Sequence, residues 1–214
     1  MRLAALMAFL LLAGCQSPYL SMMEKAGIPK REILAHRVED ARDAQIKARY
    51  QFNRTLDRYR QVAQLSGPQL QAEYDDLQDA YRASEKAAAA VAPRVRTVEQ
   101  VGDALFDEWE DELDEYSSPA LRSASSAELE QTREQYRLLL AKMKAAQSRV
   151  LPALDGLNDH LLFIKHQMNA NTVSGLQASY STVSGTVEPM MIDMQRSIEG
   201  ADGFIERLQH TGVP

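Results

Sequence analysis

Between Arg96 and Arg122 the chain has no lysine or arginine, yet this stretch carries Asp103, Asp107, Glu108, Glu110, Asp111, Glu112, Asp114 and Glu115. Carboxylates at that density can capture a divalent cation or dock a basic partner. They can instead form a solvated face, or pair with cations elsewhere in the chain. Asp103, Asp107, Glu108, Asp111 and Glu115 make the candidate interaction surface. Leu105, Phe106, Trp109, Leu113 and Tyr116 run among them and supply a stripe to bury. A calcium loop is not expected, because no EF-hand spacing with its turn glycine occurs. His160 and His166 lie six residues apart, off any common helix face. Neither follows a glutamate by three positions, the spacing used in carboxylate-bridged metal bundles. They read as surface or rim histidines. Met190, Met191 and Met194 read as a soft core patch, with a methionine metal site the weaker option. Without a phosphate-cradling loop, a His-Glu-x-x-His pair or a Gly-x-Ser-x-Gly elbow, the sequence points to no catalytic residue, cofactor or enzyme.

The only cysteine, Cys15, sits in a different context. Met1-Arg2 gives a short positive start, Leu3 to Ala13 is uninterruptedly apolar, and Ala13-Gly14 supplies small residues before the thiol. This is the layout of a secretory signal, too short to remain as a membrane-spanning helix. Leu12-Ala13-Gly14-Cys15 resembles the lipobox of bacterial lipoproteins. The resemblance implies a diacylglycerol thioether on Cys15, cleavage before it and acylation of its amine. Each buried methylene contributes about 0.8 kcal/mol, so two or three acyl chains anchor stably where one does not. The plainer reading is an ordinary cleaved signal with an incidental cysteine. Gln16 stands where lipoproteins kept at the inner membrane carry aspartate, so the resemblance implies the outer membrane, facing the periplasm.

A net charge of −6, from 24 Lys+Arg against 30 Asp+Glu, argues against a nucleic-acid partner. With Cys15 lipidated no thiol is left, so no internal disulfide can form. Sparse aromatics and abundant alanine suit closely packed helices.

The rest of the sequence must position these groups, and it reads as helix throughout. Gln16 to Ile28 is a short tether, bounded by Gly27 and Pro29. Leu34, Val38, Ala41, Ala48, Phe52, Leu56, Tyr59 and Val62 then mark one helix face. Ser66-Gly67-Pro68 makes a turn tight enough for antiparallel neighbours, with Pro68 at a first helical position. The second helix alternates steps of four and three through Leu70, Tyr74, Leu77, Tyr81, Ser84, Ala88, Val91, Val95, Val98, Gly102, Leu105 and Trp109. That spacing predicts coiled-coil-like packing, with a kink or break at Pro93. Tyr116 to Ser125 reads as a loop, and Ser125-Ser126-Ala127-Glu128 as the capping box of a third helix. Its seam runs Leu129, Tyr136, Leu140, Met143, Val150, Leu154, Leu157, Leu161, Ile164 and Met168, with a second interruption at Pro152. After a turn at Asn169–Thr172, the fourth helix carries Val173, Leu176, Tyr180, Val183, Val187, Met190, Met194, Ile198, Ala201, Ile205 and Leu208. Four glycines and Pro189 weaken it, so it depends on packing. Helices of roughly 35 to 50 residues make a rod about 50 to 70 Å long. Folding back brings Lys25, Lys30 and Arg31, and from the third helix Arg133 and Arg137, alongside the acidic run as internal charge partners.

The stretches Tyr19–Leu34, Arg37–Glu39 with Ala41–Gln45, Ala104–Leu113 and Leu161–His166 resemble signature segments of an uncharacterised bacterial lipoprotein family, the domain-of-unknown-function family 2959. The similarity covers nearly the whole mature chain, with mild departures at Ile164 and Gln167-Met168. It implies no activity. The expected organisation is a signal peptide over 1–14, a lipidated cysteine and tether over 15–29, and a helical bundle over 30–210. The fold class is all-α, an elongated antiparallel four-helix bundle. The expected role is structural or protein-interacting in the envelope, with a membrane partner through Cys15 and a protein partner on the helical faces. The alternative is a module capturing divalent cations or a basic ligand at its acidic end. A tether of about 14 residues spans at most about 50 Å, which puts that end close to the membrane.

Overall fold

A computed structural model describes residues 29–65, 68–169 and 176–210. The tether, the turns at Ser66-Gly67 and Asn169–Thr172 beyond its first residue, and Val173 lie outside them. The described residues form six helices: α1 (Lys30–Val62), α2 (Pro68–Ala89), α3 (Val91–Leu113), α4 (Pro119–Ser148), α5 (Val150–Asn169) and α6 (Leu176–His210). Single residues, Ala90 and Arg149, separate α2 from α3 and α4 from α5. The chain is thus all-helical, four long helical rods, with no strand among the described residues. No described helix is long and apolar enough to cross a membrane.

Both breaks have the same cause. A proline ring runs into the carbonyl four residues back and offers it no N–H. Pro93 and Pro152 therefore end the preceding helices at Ala89 and Ser148 and occupy the third position of the next ones, where an N–H has no intrahelical role. Ala90 and Arg149 stay in the right-handed region, with N–H bonds of 3.2 Å to the Ala87 carbonyl and 3.3 Å to the Ala146 carbonyl. Each rod therefore continues in nearly its old direction. Pro189 lies inside an unbroken α6, which Val183, Val187, Met190 and Met194 hold to the core.

Each rod packs against two neighbours: α1 on α2–α3 and on α6, and α4–α5 on the same two. Cross-rod pairs fix an antiparallel register. Thr55 meets Ser84 at 2.9 Å, Arg133 meets Glu110 at 2.6 Å, Arg149 meets Asp193 at 2.6 Å and Arg42 meets Asp202 at 2.9 Å. This register brings Pro93, Pro152 and Pro189 to one level of the bundle, within about one helical turn of 5.4 Å. Of the twelve positions expected on the second rod's seam, only Tyr81 is not fully buried. The core also takes Leu139 in preference to Leu140, and Phe204, which the periodicity did not single out.

One boundary differs from expectation. The loop before α4 is short, because Pro119 sits at the first helical position and the Ser118 hydroxyl accepts from the Leu121 N–H at 3.4 Å. Ser125 and Glu128 therefore lie within the helix instead of capping it, and their side chains serve other partners.

Gly102 is required where the second and third rods touch. A Cβ there would lie 2.3 Å from the Tyr136 ring. That ring packs 5.2 Å from Phe106 and 6.2 Å from Phe204, and its hydroxyl donates to the Val98 and Glu99 carbonyls at 3.3 Å. Gly102→Ala should lower stability by about 1–3 kcal/mol with helicity retained, read as a drop in the urea midpoint. An unchanged midpoint would show that the ring can move aside.

Candidate functional site

The seam of α3 turns Val98, Gly102, Leu105, Phe106 and Trp109 inward, which leaves the acids on its flanks and outer face. They form two populations. The first is neutralised by other rods. Lys30 Nζ lies 3.1 Å from Glu108, with its side chain only 8% exposed, so the stem is buried and the ammonium reaches out to the carboxylate. Arg133 donates to Glu110 at 2.6 Å and to the Phe106 carbonyl at 3.3 Å, its guanidinium 5.3 Å above the Phe106 ring. That hydrogen bond holds the Glu110 carboxyl below its ordinary value. Arg122 pairs with Asp114, and Lys144 with Glu99. The last turn of α3 carries no basic residue, so Lys30, Arg133 and Arg122, from α1 and α4, offset the helix dipole there.

The second population is Asp103, Asp107, Asp111 and Glu115, four residues apart along one exposed line. Among the described residues none of the four has a lysine or arginine within ion-pair distance. Like charges at this spacing repel weakly. Desolvation first, then Glu99 and Asp107, raises the Asp103 carboxyl above its ordinary value, against the pull of Lys144. Glu112 is raised in the same way, by desolvation, Glu108 and Glu115. No group of three His, Cys, Asp or Glu suited to holding a metal ion exists among the described residues.

Two cations expected opposite the run are used differently. Arg137 bonds Glu134 of its own helix at 2.9 Å, because three residues along a helix is a nearer reach than the neighbouring rod. Arg31 bonds Glu128 of α4 at 3.4 Å and lies 5.3 Å over the Trp109 ring. Trp109 in turn donates its indole N–H to Ser125 Oγ at 2.9 Å. The two residues read as a capping box thus clamp the end of α3. Lys25 and Cys15 lie outside the described residues. Lys144 and Arg122 were missed as partners, since nothing local in the sequence marks a pair 45 or 8 residues apart.

A second polar cluster lies towards the opposite end. The buried Tyr59 hydroxyl is 3.4 Å from His160 Nδ1, with the rings edge-on at 6.2 Å. Tyr180 lies 5.8 Å from Tyr59, and Arg60 donates to its hydroxyl at 2.7 Å. Burial pushes Tyr59 up to about 12, with a bond to Ser179 opposing. His166 is exposed, whereas burial lowers His160 from its ordinary 6.5 despite Asp159 beside it. Folding thus favours the neutral imidazole, which can accept the tyrosine proton. The stability this gives is complete above pH 6.5 and declines as pH falls towards the depressed folded value. The urea midpoint should therefore fall more steeply between pH 7.5 and 5 in the natural protein than in His160→Gln. Parallel profiles would exclude this contribution.

The family described as "protein of unknown function (DUF2959)" matches residues 19–208 of the 214. No curated protein matches the chain, and no solved structure does. A match over nearly the full length, carried through every helix of the bundle, places this chain in the DUF2959 family.

Proposed function

We propose that this chain is a lipid-anchored protein of the bacterial cell envelope, without enzymatic activity, whose helical faces bind another protein. The reading includes a signal peptide over 1–14, acylated Cys15 at the outer membrane, and an elongated, coiled-coil-like bundle standing in the periplasm. The observation that carries the interaction role is a groove of about 370 Å³ between α1 and α6, lined by Arg49, Asn53, Glu188, Met191, Ile192 and Arg196 among others. Arg42–Asp202 and the bond from Arg60 to Tyr180 bracket it and bring Ile192, 51% exposed, level with Tyr50, 60% exposed. Ile46 and Tyr50, one turn apart on α1, add exposed apolar surface outside the groove's lining. Apolar rims with charges of both signs suit the amphipathic helix of a partner. The polarity of the bundle agrees with an anchor. α1 starts beside the end of α3, at Lys30–Glu108, and beside the last turns of α6. A chain anchored before Pro29 holds that end near the membrane and projects the other away from it.

The second reading, capture of a basic ligand, rests on the unpaired line of Asp103, Asp107, Asp111 and Glu115; a divalent cation is its weaker form. Photo-crosslinking in cells separates the two. Under the first reading a probe at Ile192 traps one protein, and Tyr50→Asp abolishes the adduct. Adducts only from a probe at Glu115, lost when Asp107→Asn and Asp111→Asn are added, would favour the second. For the anchor, Cys15→Ser should abolish metabolic labelling with a fatty acid. Continued labelling refutes the lipoprotein assignment.

A further inference from the structure

Three of the four rods are weakened at one level of the bundle, and the fourth is not. Pro93 and Pro152 have no N–H for the Ala89 and Ser148 carbonyls, and Pro189 has none for the Gly185 carbonyl. Each of these rods therefore lacks a backbone hydrogen bond there. The cross-rod pairs fix the level. Arg133–Glu110 and Lys144–Glu99 share one register, which sets Pro93 opposite Val150, two residues from Pro152. Arg149–Asp193, continued along α5 and α6, sets Pro152 opposite Met190, next to Pro189. Thr55–Ser84 and Lys30–Glu108 set Pro93 opposite Gln45 and Ile46 of α1. α1 has neither proline nor glycine over its 33 residues and crosses this level as one helix.

Small side chains gather at the same level. Ala87, Ala88, Ala146 and Ala153 flank the two breaks, and Ala44 and Ala48 lie beside Gln45, all buried. They bury less apolar surface per turn than the aromatic side chains that lock each end. Phe106, Tyr136 and Phe204 pack together on one side of the level, and Tyr59 with Tyr180 on the other. Gln45 is 0% exposed, and neither polar atom of its amide has a hydrogen-bond partner in the protein. That shortfall destabilises the straight bundle, and an opening that admits water to the amide relieves it. We propose that this level is a hinge, at which the two aromatic-packed halves turn against each other as rigid bodies with α1 as the continuous spine. The groove between α1 and α6, lined by Arg49, Asn53, Glu188 and Arg196, crosses the same level, so the hinge changes its width. The hinge does not depend on what the groove binds.

The test is double electron–electron resonance on the full chain in detergent micelles, with spin labels carried by ketone-bearing residues at exposed positions. Labels at Asp79 and Asp107 span the level along α2–α3, whereas Asp107 with Glu206, and Asp79 with Lys165, each stay within one half. A broad distance distribution is expected for the spanning pair and narrow ones for the other two. Pro93 and Pro152 are themselves exposed, so Pro93→Ala with Pro152→Ala restores both N–H groups without disturbing the core. In that double variant the spanning distribution should narrow to the width of the other two. A spanning distribution already as narrow as theirs, or one whose breadth survives the double substitution, overturns the proposal.

Discussion

None of the four rods can hide its apolar stripe alone, and the rest of the structure depends on hiding all four together. An isolated helix in water is marginal even with good propensity, so the rods draw most of their stability from one another. The seam residues show what close approach demands. Ala41, Ala48, Ala146, Ala153 and Ala201 are all fully buried, and Gly102 gives way to the Tyr136 ring. Small residues set the spacing. The few large ones, Phe52, Tyr59, Tyr136 and Phe204, then fill what remains. This explains how α6 survives Pro189 and three glycines in one continuous helix, whereas Pro93 and Pro152 each end one.

The charges follow from the same packing. An inward-facing seam on α3 forces its acids outward, and the sequence then divides them by what the adjacent rods present. Glu108 and Glu110 lie near the boundary with α1 and α4 and find Lys30 and Arg133 there. The line from Asp103 to Glu115 runs along the exposed side of α3 and, among the described residues, has no lysine or arginine within ion-pair distance. Exposed pairs of this kind add little stability each. Lys30 differs, since its stem is buried and its ammonium is held to one carboxylate.

The heptad rhythm makes the fold legible because one physical requirement, a continuous buried stripe, acts on every third or fourth residue. The second rod is the clearest case, with its seam from Leu70 to Trp109 readable position by position. The start of α4 is not legible this way. Its first buried residue is Leu129, ten positions after Pro119, and Leu121 is 60% exposed, so the early turns carry no apolar signal. The Ser118 cap and the Arg122–Asp114 pair hold them instead. The candidate site is legible in composition and not in pairing. A dense acidic run is visible at once, but whether Arg137 crosses to it or stays with Glu134 depends on distances between rods. Tyr59 and His160 show the same limit, since 101 residues separate them.

The buried Lys30 at the first position of α1 also ties that helix's first turn to α3, which matters for a pull along its axis. A pull applied at the start of α1 and directed along its axis acts on a helix of 33 residues or about 50 Å. It therefore pulls α1 lengthwise against α2–α3 and α6, and the packed seam resists in shear along its whole length. A load applied across the axis would peel the contacts away one turn at a time. Lys30, held to Glu108 at the point where the force arrives, keeps the first turn from fraying before that resistance is engaged.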